Sequence, residues 1–218
     1  SRRRHDREPA RDFWTLLPHF QVPHRLRVCV EAIRRIPDSP FDALLTGWAA
    51  PPTPNELEAG LGRTPGAYPL STWLTDAKRL PRQLQPGQVL AVSMAGFGVS
   101  VERIVPNAQV RDPCILELDR GCSIAPLTGL DAPGGCSDLS VREKEVRTLR
   151  NSLTGEPVCL VVADAPERPL LLFLSPWQLA EDGIPPPRPG WRVEGTFHFT
   201  GRVAGGITPP AEVVGETL

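Results

Sequence analysis

The chain has 218 residues, of which 26 are Pro and 19 are Gly. Pro is more than twice as frequent as the ~5 % of average proteins, and because Pro breaks helical hydrogen bonding this excludes a helical bundle or a coiled coil. The 24 basic residues, almost all Arg, are balanced by 25 acids, which excludes a basic surface over the whole molecule. The apolar fraction of 40 % is sufficient for a packed core, and the length allows one large domain or two small ones.

The sequence contains no apolar run long enough to span a membrane. Residues 1–12 are basic and polar and lack the apolar stretch of a secretory signal. The five cysteines are odd in number, and Cys29 and Cys159 lie in apolar, strand-like runs, where a free Cys behaves as a small hydrophobe. We therefore expect an intracellular protein of the cytoplasm or nucleus, with reduced thiols and no membrane partner.

The first half of the chain has the pattern of a small β-domain. Leu26, Val28 and Val30 alternate with charged residues, which predicts a half-buried strand over 25–36. Gly96-Phe97-Gly98 is expected to separate two successive strands. Further strands are expected at 41–50, 68–75, 88–95 and 99–105, with a Pro- and Gly-rich loop at 51–67 and a short helix at 75–80. The order β-β-β-α-β-β is that of an OB-fold, a small five-stranded Greek-key barrel.

The second half repeats part of this pattern. Residues 69–75 can be aligned with residues 169–175, and each segment precedes a short helix-like stretch. A Pro-Gly pair then comes before a long strand in both halves, Pro86-Gly87 in the first and Pro189-Gly190 in the second. Strands of the second half are expected at 157–165, 169–175, 191–199 and 202–204. Either the chain contains two tandem barrels, or the likeness reflects only similar β-hairpins.

A connector, residues 111–140, separates the two candidate units. It contains Cys114, Cys122 and Cys136, and three thiolates with one further ligand can hold zinc. Because the Cys-x-x-Cys spacing is missing, unpaired loop thiols are the preferred interpretation, and we expect no metal and no other cofactor. Residues 140–149 begin with the form of a helix capping box, so they are either a helix or the twisted first strand of the second unit.

Signatures of catalysis are missing from the sequence. We find no Gly-rich phosphate loop followed by Lys and Ser or Thr, no Gly-x-Ser-x-Gly elbow and no His-Glu-x-x-His helix. The acids are scattered rather than paired as a two-metal site requires. We therefore expect a protein that is not an enzyme.

The residues best suited to a binding surface are tryptophans and arginines on the predicted strands. In proteins that bind single-stranded nucleic acid, exposed aromatic side chains stack on bases and neighbouring cations neutralise phosphates, for which the planar guanidinium is well shaped. The candidate nucleic-acid-binding residues are Arg25, Arg27, Trp48, Trp73, Arg103, Trp191, Arg192 and Arg202. The alternatives are that these tryptophans fill barrel interiors, and that a GC-rich genome raised Arg, Pro, Ala and Gly together.

The element order, with Pro86-Gly87 and Pro189-Gly190 opening the fourth strands, resembles that of tandem OB-fold proteins of the replication protein A and telomere-capping kind. The resemblance extends over residues 25–105 and 157–204. It implies binding of single-stranded DNA or RNA across the barrel face, usually within a multi-subunit assembly. The near-neutral charge and the few aromatic residues depart from the pattern of that family.

The sequence therefore predicts a mainly β protein with two small OB-like five-stranded Greek-key barrels and short helices. The expected organisation is an N-terminal arm with a short helix (1–24), a first barrel (25–110), a connector (111–140), a second barrel (141–205) and a tail (206–218). The expected function is non-enzymatic binding of single-stranded nucleic acid, with DNA preferred, in replication, repair or genome maintenance. The alternative is an OB-fold scaffold that joins other subunits through its strand edges or its Pro-rich loop.

Overall fold

The computed structural model describes residues 20, 24–37, 39–51, 67–106, 122–127, 134–165 and 168–208. This part of the chain is mainly β, as the alternation of apolar and polar residues predicts. Its strands are β1 (Leu26–Arg35), β2 (Ala43–Ala49), β3 (Tyr68–Leu74), β4 (Val89–Pro106), β5 (Cys122–Pro126), β6 (Cys136–Arg150), β7 (Pro157–Ala163), β8 (Leu170–Leu174) and β9 (Trp191–Thr208). The helical elements of these ranges are a 3-10 turn at Ala77–Arg79 and the α-helix α1 (Pro176–Glu181), and no helix here could cross a bilayer.

Residues 140–149 are a strand, so the helix alternative for this segment is wrong. They lie within β6, where Ser140 does not cap a helix but donates a hydrogen bond from Oγ to Glu194 of β9, at 2.9 Å. The strand alternative is therefore confirmed. The predicted N-terminal helix, most of the loop at 51–67 and the tail after residue 208 lie outside the described residues.

Two strands are longer than the sequence predicts. β4 continues through residues 96–98, so the predicted break between two strands there is wrong, and β9 joins the strands expected at 191–199 and 202–204. Gly96 serves close packing rather than a turn, because a Cβ at this position would lie 2.8 Å from both Leu172 Cδ2 and Phe199 Cε1. β4 and β9 pair antiparallel along their whole length.

All nine described strands belong to one sheet, in the order β1-β2-β3-β9-β4-β8-β7-β6-β5. The pairing of β1 with β4 closes a first ring, β1-β2-β3-β9-β4, and the pairing of β9 with β6 closes a second ring, β6-β7-β8-β4-β9. β4 and β9 are shared by both rings. β4 pairs with β1 at residues 89–92 and with β8 at 96–97, and β9 pairs with β6 at 192–198 and with β3 at 200–201.

The two rings are built alike around their Pro-Gly turns. Gly87 and Gly190 have positive φ angles of 87° and 82°, a conformation that favours glycine. The backbone N–H of Gly87 donates to the carbonyl of Val30 at 2.7 Å, and that of Gly190 donates to the carbonyl of Glu143 at 2.8 Å. Each turn is therefore held by the first strand of its own ring, β1 or β6.

One hydrophobic core fills both rings. The inward side chains of the first ring include Val28, Leu45, Leu70 and Leu90, and those of the second include Val141, Val161, Leu172 and Val193. Phe197 and Phe199 of β9 are fully buried at the place where this strand passes from one ring to the other. Burying a side chain of this size stabilises a protein by about 1.5–3 kcal/mol, so the shared strands join the rings by packing as well as by hydrogen bonds.

Candidate functional site

The outer surface of β1, β2 and β3 carries an exposed tryptophan. Leu45 and Ala49 of β2 point into the core and are fully buried, so Trp48 of the opposite parity points outwards and remains 36 % exposed. In the strand register Trp48 lies beside Cys29 of β1 and Pro69 of β3. We call this outer surface of β1, β2 and β3, centred on Trp48, the Trp48 face.

Arginines lie along one side of the Trp48 face. Arg25 is exposed just before β1, and Arg27 is half-buried on the outward side of β1, in register with Ala91 of β4. The sheet surface continues through β4 to β9, where the Arg202 side chain is 49 % exposed. Arg202 Nε lies 3.7 Å from Asp76 Oδ2, which holds the guanidinium at this edge. Three of the predicted cations therefore share one continuous outer surface with Trp48.

Trp73 lies on the same side of the sheet but under a covering turn. It is half-buried on β3, in register with Leu44 of β2, and a Cβ at Gly134 would lie 3.5 Å from its ring and 3.3 Å from Leu44. Its ring centroid lies 6.4 Å from that of His198. The indole Nε1 is buried and has no hydrogen-bond partner among the described residues. The turn before β6 thus closes this end of the Trp48 face.

Arg103 and Arg192 belong to a polar cluster on β4, β6 and β9 in the second ring. Arg103 Nε donates to a carboxylate oxygen of Glu194, and this hydrogen bond raises the pKa of Arg103. The other carboxylate oxygen of Glu194 accepts from Ser140 Oγ at 2.9 Å. Arg192 is only 4 % exposed and donates from Nη1 to the backbone O and the Oγ of Ser140, at 3.0 and 3.1 Å. Both guanidinium groups therefore have partners within the protein.

The eight predicted residues are not gathered at one place. The Trp48 face brings together Arg25, Arg27 and Trp48, with Arg202 at its edge and Trp73 at its covered end. The other three belong to the second ring: Arg103, Arg192 and the half-buried Trp191, whose ring lies 5.1 Å from the guanidinium carbon of Arg188. Cys29 and Pro69, which flank Trp48, were not predicted as site residues. Their position beside Trp48 follows from the register of β1, β2 and β3, and no local sequence motif predicts it.

A buried carboxyl group lies inside the second ring. Glu143 is 1 % exposed, and its Oε2 accepts a hydrogen bond from the backbone N–H of Arg188 at 2.5 Å, while Oε1 has no partner among the described residues. Burial raises the pKa of Glu143 to about 7, and the bond from Arg188 opposes that rise. The carboxyl group therefore changes charge near neutral pH while it holds the segment before β9.

The buried or half-buried thiols and the imidazole of His198 are in environments that favour their uncharged forms. Burial raises the pKa of the Cys29, Cys136 and Cys159 thiols, and burial lowers the pKa of His198. A protonated thiol is a poor nucleophile and a poor metal ligand. Within the described ranges no group of three or more His, Cys, Asp or Glu residues is placed to hold a metal ion. Cys114 and the side chain of Cys122, considered above as zinc ligands, lie outside the described residues.

Comparison of the chain with protein-family models, with curated proteins and with solved structures gives no match. The function must therefore be argued from the two rings and from the surfaces they carry. Of these surfaces, the Trp48 face combines an exposed aromatic side chain with guanidinium groups, a combination that occurs in proteins that bind single-stranded nucleic acid.

Proposed function

We propose that the protein binds single-stranded nucleic acid, with DNA preferred, as a non-enzymatic component of replication, repair or genome maintenance. In this proposal both rings are OB-like Greek-key barrels that share β4 and β9. The order of elements supports it, because in each ring three strands precede a helical element, a Pro-Gly turn and a long fourth strand that pairs with the first. In OB-folds the outer side of the second and third strands binds oligonucleotides, and in the first ring this is the Trp48 face.

The observation that carries the proposal is the exposure of Trp48 on the outer surface of the sheet. Large aromatic side chains on a sheet are normally turned inwards to gain burial, yet this indole is 36 % exposed between the short side chains of Cys29 and Pro69. Aromatic side chains at the surface of a sheet stack on nucleic-acid bases, and such stacking is tolerant of base identity because every base has a π-face.

Arginine provides the second half of the interaction. The register partner of Trp48 is Cys29, and Arg27 and Arg25 occupy the two preceding outward positions, which the pleat spaces two residues apart. The guanidinium of Arg25 lies near β9, since a Cβ at Gly205 would lie 3.8 Å from Arg25 Nη1. A strand lying over Trp48 would bring its phosphates to these guanidinium groups and release the bound counterions. Together with Arg202, these residues provide about three phosphate contacts, which correspond to a slope of about −2 in a plot of log affinity against log salt. The near-neutral chain is compatible with this local basic edge.

Binding of fluorescently labelled oligonucleotides, measured by anisotropy over a range of salt concentrations, tests the proposal. Trp48→Ala is expected to weaken binding of single strands by about 5- to 150-fold, the equivalent of one lost stacked base. Trp177→Ala is the matched control, because Trp177 is more exposed, at 72 %, but lies on α1 of the second ring. Equal losses from both variants, or no binding at low salt by the wild type, would rule the proposal out.

Scaffolding of other proteins is the second candidate, and one observation favours it. Trp177 and Val99 are 72 % and 53 % exposed, and their segments are joined by the hydrogen bond from Gln178 Nε2 to the carbonyl of Val99, at 3.0 Å. Exposed apolar side chains grouped in this way are typical of surfaces that bind a partner. This function predicts that Trp177→Ala removes capture of a partner after nuclease treatment, whereas Trp48→Ala leaves that capture intact.

A further inference from the structure

The outer surface of the second ring is apolar on β7, β8 and the adjoining part of β4. On β7 and β8 the inward positions are filled by core residues such as Val161 and Leu172, so the side chains of opposite parity point outwards. These outward side chains form a second hydrophobic cluster, which consists of Ala95, Phe97, Leu149, Val158, Leu160, Val162, Leu171 and Phe173 together with Phe20. We call this surface the Phe173 face.

The Phe173 face is covered, although its residues point away from the core. Leu160, Leu171 and Phe173 are only 5 %, 5 % and 8 % exposed, whereas the outward Trp48 of the first ring is 36 % exposed. Neighbours in the same sheet cannot bury an outward side chain so far, so another part of the molecule must lie on top. Among the described residues Phe20 does so, with its ring centroid 4.8 Å from that of Phe173 at a tilt of 55°.

Outward side chains of the first ring are also covered, but by a different segment of the chain. Leu44 and Trp73 are register partners on its outer surface, as Leu160 and Phe173 are on the second ring. The turn at Gly134, which leads directly into β6, lies over Leu44 and Trp73. Phe20 likewise belongs to the segment that leads into β1. In each ring the cover thus comes from the chain that enters the first strand of the other ring.

We propose that the segment 12–20 of this same chain occupies the Phe173 face, with Phe20 as the described end of the contact. Phe13, Leu16 and Leu17 precede Phe20 at the spacing of one apolar helical stripe, and Trp14 adds further apolar area. The face offers aromatic and branched aliphatic groups, and the ion pair of Arg147 with Glu145 borders it on β6, in register with Leu160 and Val162. An apolar segment tethered next to this face reaches it at high effective concentration, which a separate partner does not.

This inference deepens the proposed function and, in one respect, rests on it. If oligonucleotides bind on the outer side of the second and third strands, then the second ring has lost that surface to its own chain. Of the two equivalent surfaces on the described rings, the Trp48 face is then the one that remains for a nucleic-acid strand. The docking of the segment itself is independent of nucleic acid, and its test uses none.

Photo-crosslinking in the full-length protein tests the docking. A photo-reactive benzoylphenylalanine at position 17 is expected to crosslink to residues 157–163 or 170–174, as mapped by mass spectrometry. The same group at position 41 is the matched control. Phe41 is 52 % exposed in the first ring, so a benzoylphenylalanine in its place should not reach these strands. A mixture of light and heavy isotope-labelled protein identifies the occupant, since an intramolecular crosslink joins peptides of one label only.

Crosslinks that join light and heavy peptides would assign the face to a second copy and overturn the proposal. Crosslinks from position 17 that fall only outside the Phe173 face, or no crosslink to it at all, would do the same. A second measurement uses Leu17→Asp and Phe20→Ala, which are expected to increase binding of an apolar fluorescent dye several-fold while the circular dichroism of the strands stays unchanged. If both variants bind the dye no more than the wild type does, the proposed docking is also overturned. This result does not depend on the affinity of the protein for oligonucleotides.

Discussion

Replacing Glu143 by Gln is expected to abolish a loss of stability that the wild type undergoes as the pH rises from 4.5 to about 7. The Glu143 side chain is 1 % exposed, and one of its carboxylate oxygens has no hydrogen-bond partner among the described residues. Burial penalises the charged form, so the protonated carboxyl fits this place better than the carboxylate. Gln has nearly the same shape and is uncharged at every pH, so Glu143→Gln imitates the protonated form.

The sign and the size of the effect follow from the two pKa values. Below pH 4.5 the carboxyl is protonated in both the folded and the unfolded chain, and its contribution to stability is fully present. As the pH rises towards 7 the unfolded chain releases its proton first, so that contribution is lost. The difference between 4.5 and about 7 corresponds to about 3 kcal/mol of unfolding free energy, or about 6–12 °C in Tm for a chain of this length.

Urea unfolding of the wild type and of Glu143→Gln across this pH window measures the effect. The stability of the wild type relative to the variant should fall by about 3 kcal/mol from the acid to the neutral end. Glu145→Gln is the matched control on the same strand, because Glu145 is exposed and its hydrogen bond with Arg147 lowers its pKa, which places its titration below the window. A stability difference between wild type and Glu143→Gln that does not change with pH would refute the reasoning.

Two further predictions concern the shared strand β9. Gly195→Ala should destabilise the protein by about 2–5 kcal/mol, because the φ of Gly195 is 152° and a Cβ would lie 2.3 Å from the carbonyl oxygen of Ser100. Gly87→Ala is the control, because a Cβ at Gly87 meets open space, and it should cost only about 1–2 kcal/mol. Equal losses of Tm in the two variants would contradict this prediction. Asp76→Ala should cost about 1–3 kcal/mol in chemical denaturation, because Asp76 Oδ1 accepts a hydrogen bond from the buried N–H of Val203 at 2.9 Å. Asp76→Asn keeps an acceptor oxygen and should recover most of that loss, and failure to do so would show that the hydrogen bond is not the cause.

The strands that could be predicted from the sequence are those whose side chains alternate between core and surface. β1 was predicted because Leu26, Val28 and Val30 recur every second residue, and the structure buries all three. The sequence predicts a break between strands at residues 96–98, because glycine occurs at strand ends and at sites of close packing alike. Only the neighbours Leu172 and Phe199, far away in sequence, reveal that packing is the reason for Gly96.

The candidate site was predicted less well, because exposure is decided by strands that the sequence does not pair. Trp48 and Trp73 are both tryptophans at outward positions, yet of these two the turn at Gly134 covers Trp73 and leaves Trp48 36 % exposed. Arg192 has the charge of a phosphate-binding residue, but Ser140 of β6 encloses it through two hydrogen bonds. Local spacing identifies candidates, whereas long-range pairing decides which of them face the solvent.

The exchange of β4 and β9 between the rings has a consequence for how this protein is made. The first ring is completed by residues 200–208, which a ribosome synthesises long after β1, β2 and β3. Until then β3 and β4 present unpaired edges, and such edges are sites of aggregation. Long-range strand pairing is also intrinsically slow, because the chain entropy is lost before the contacts form. We therefore expect both rings to be completed only once β9 is available, and we expect a chain that ends before β9 to aggregate through these edges.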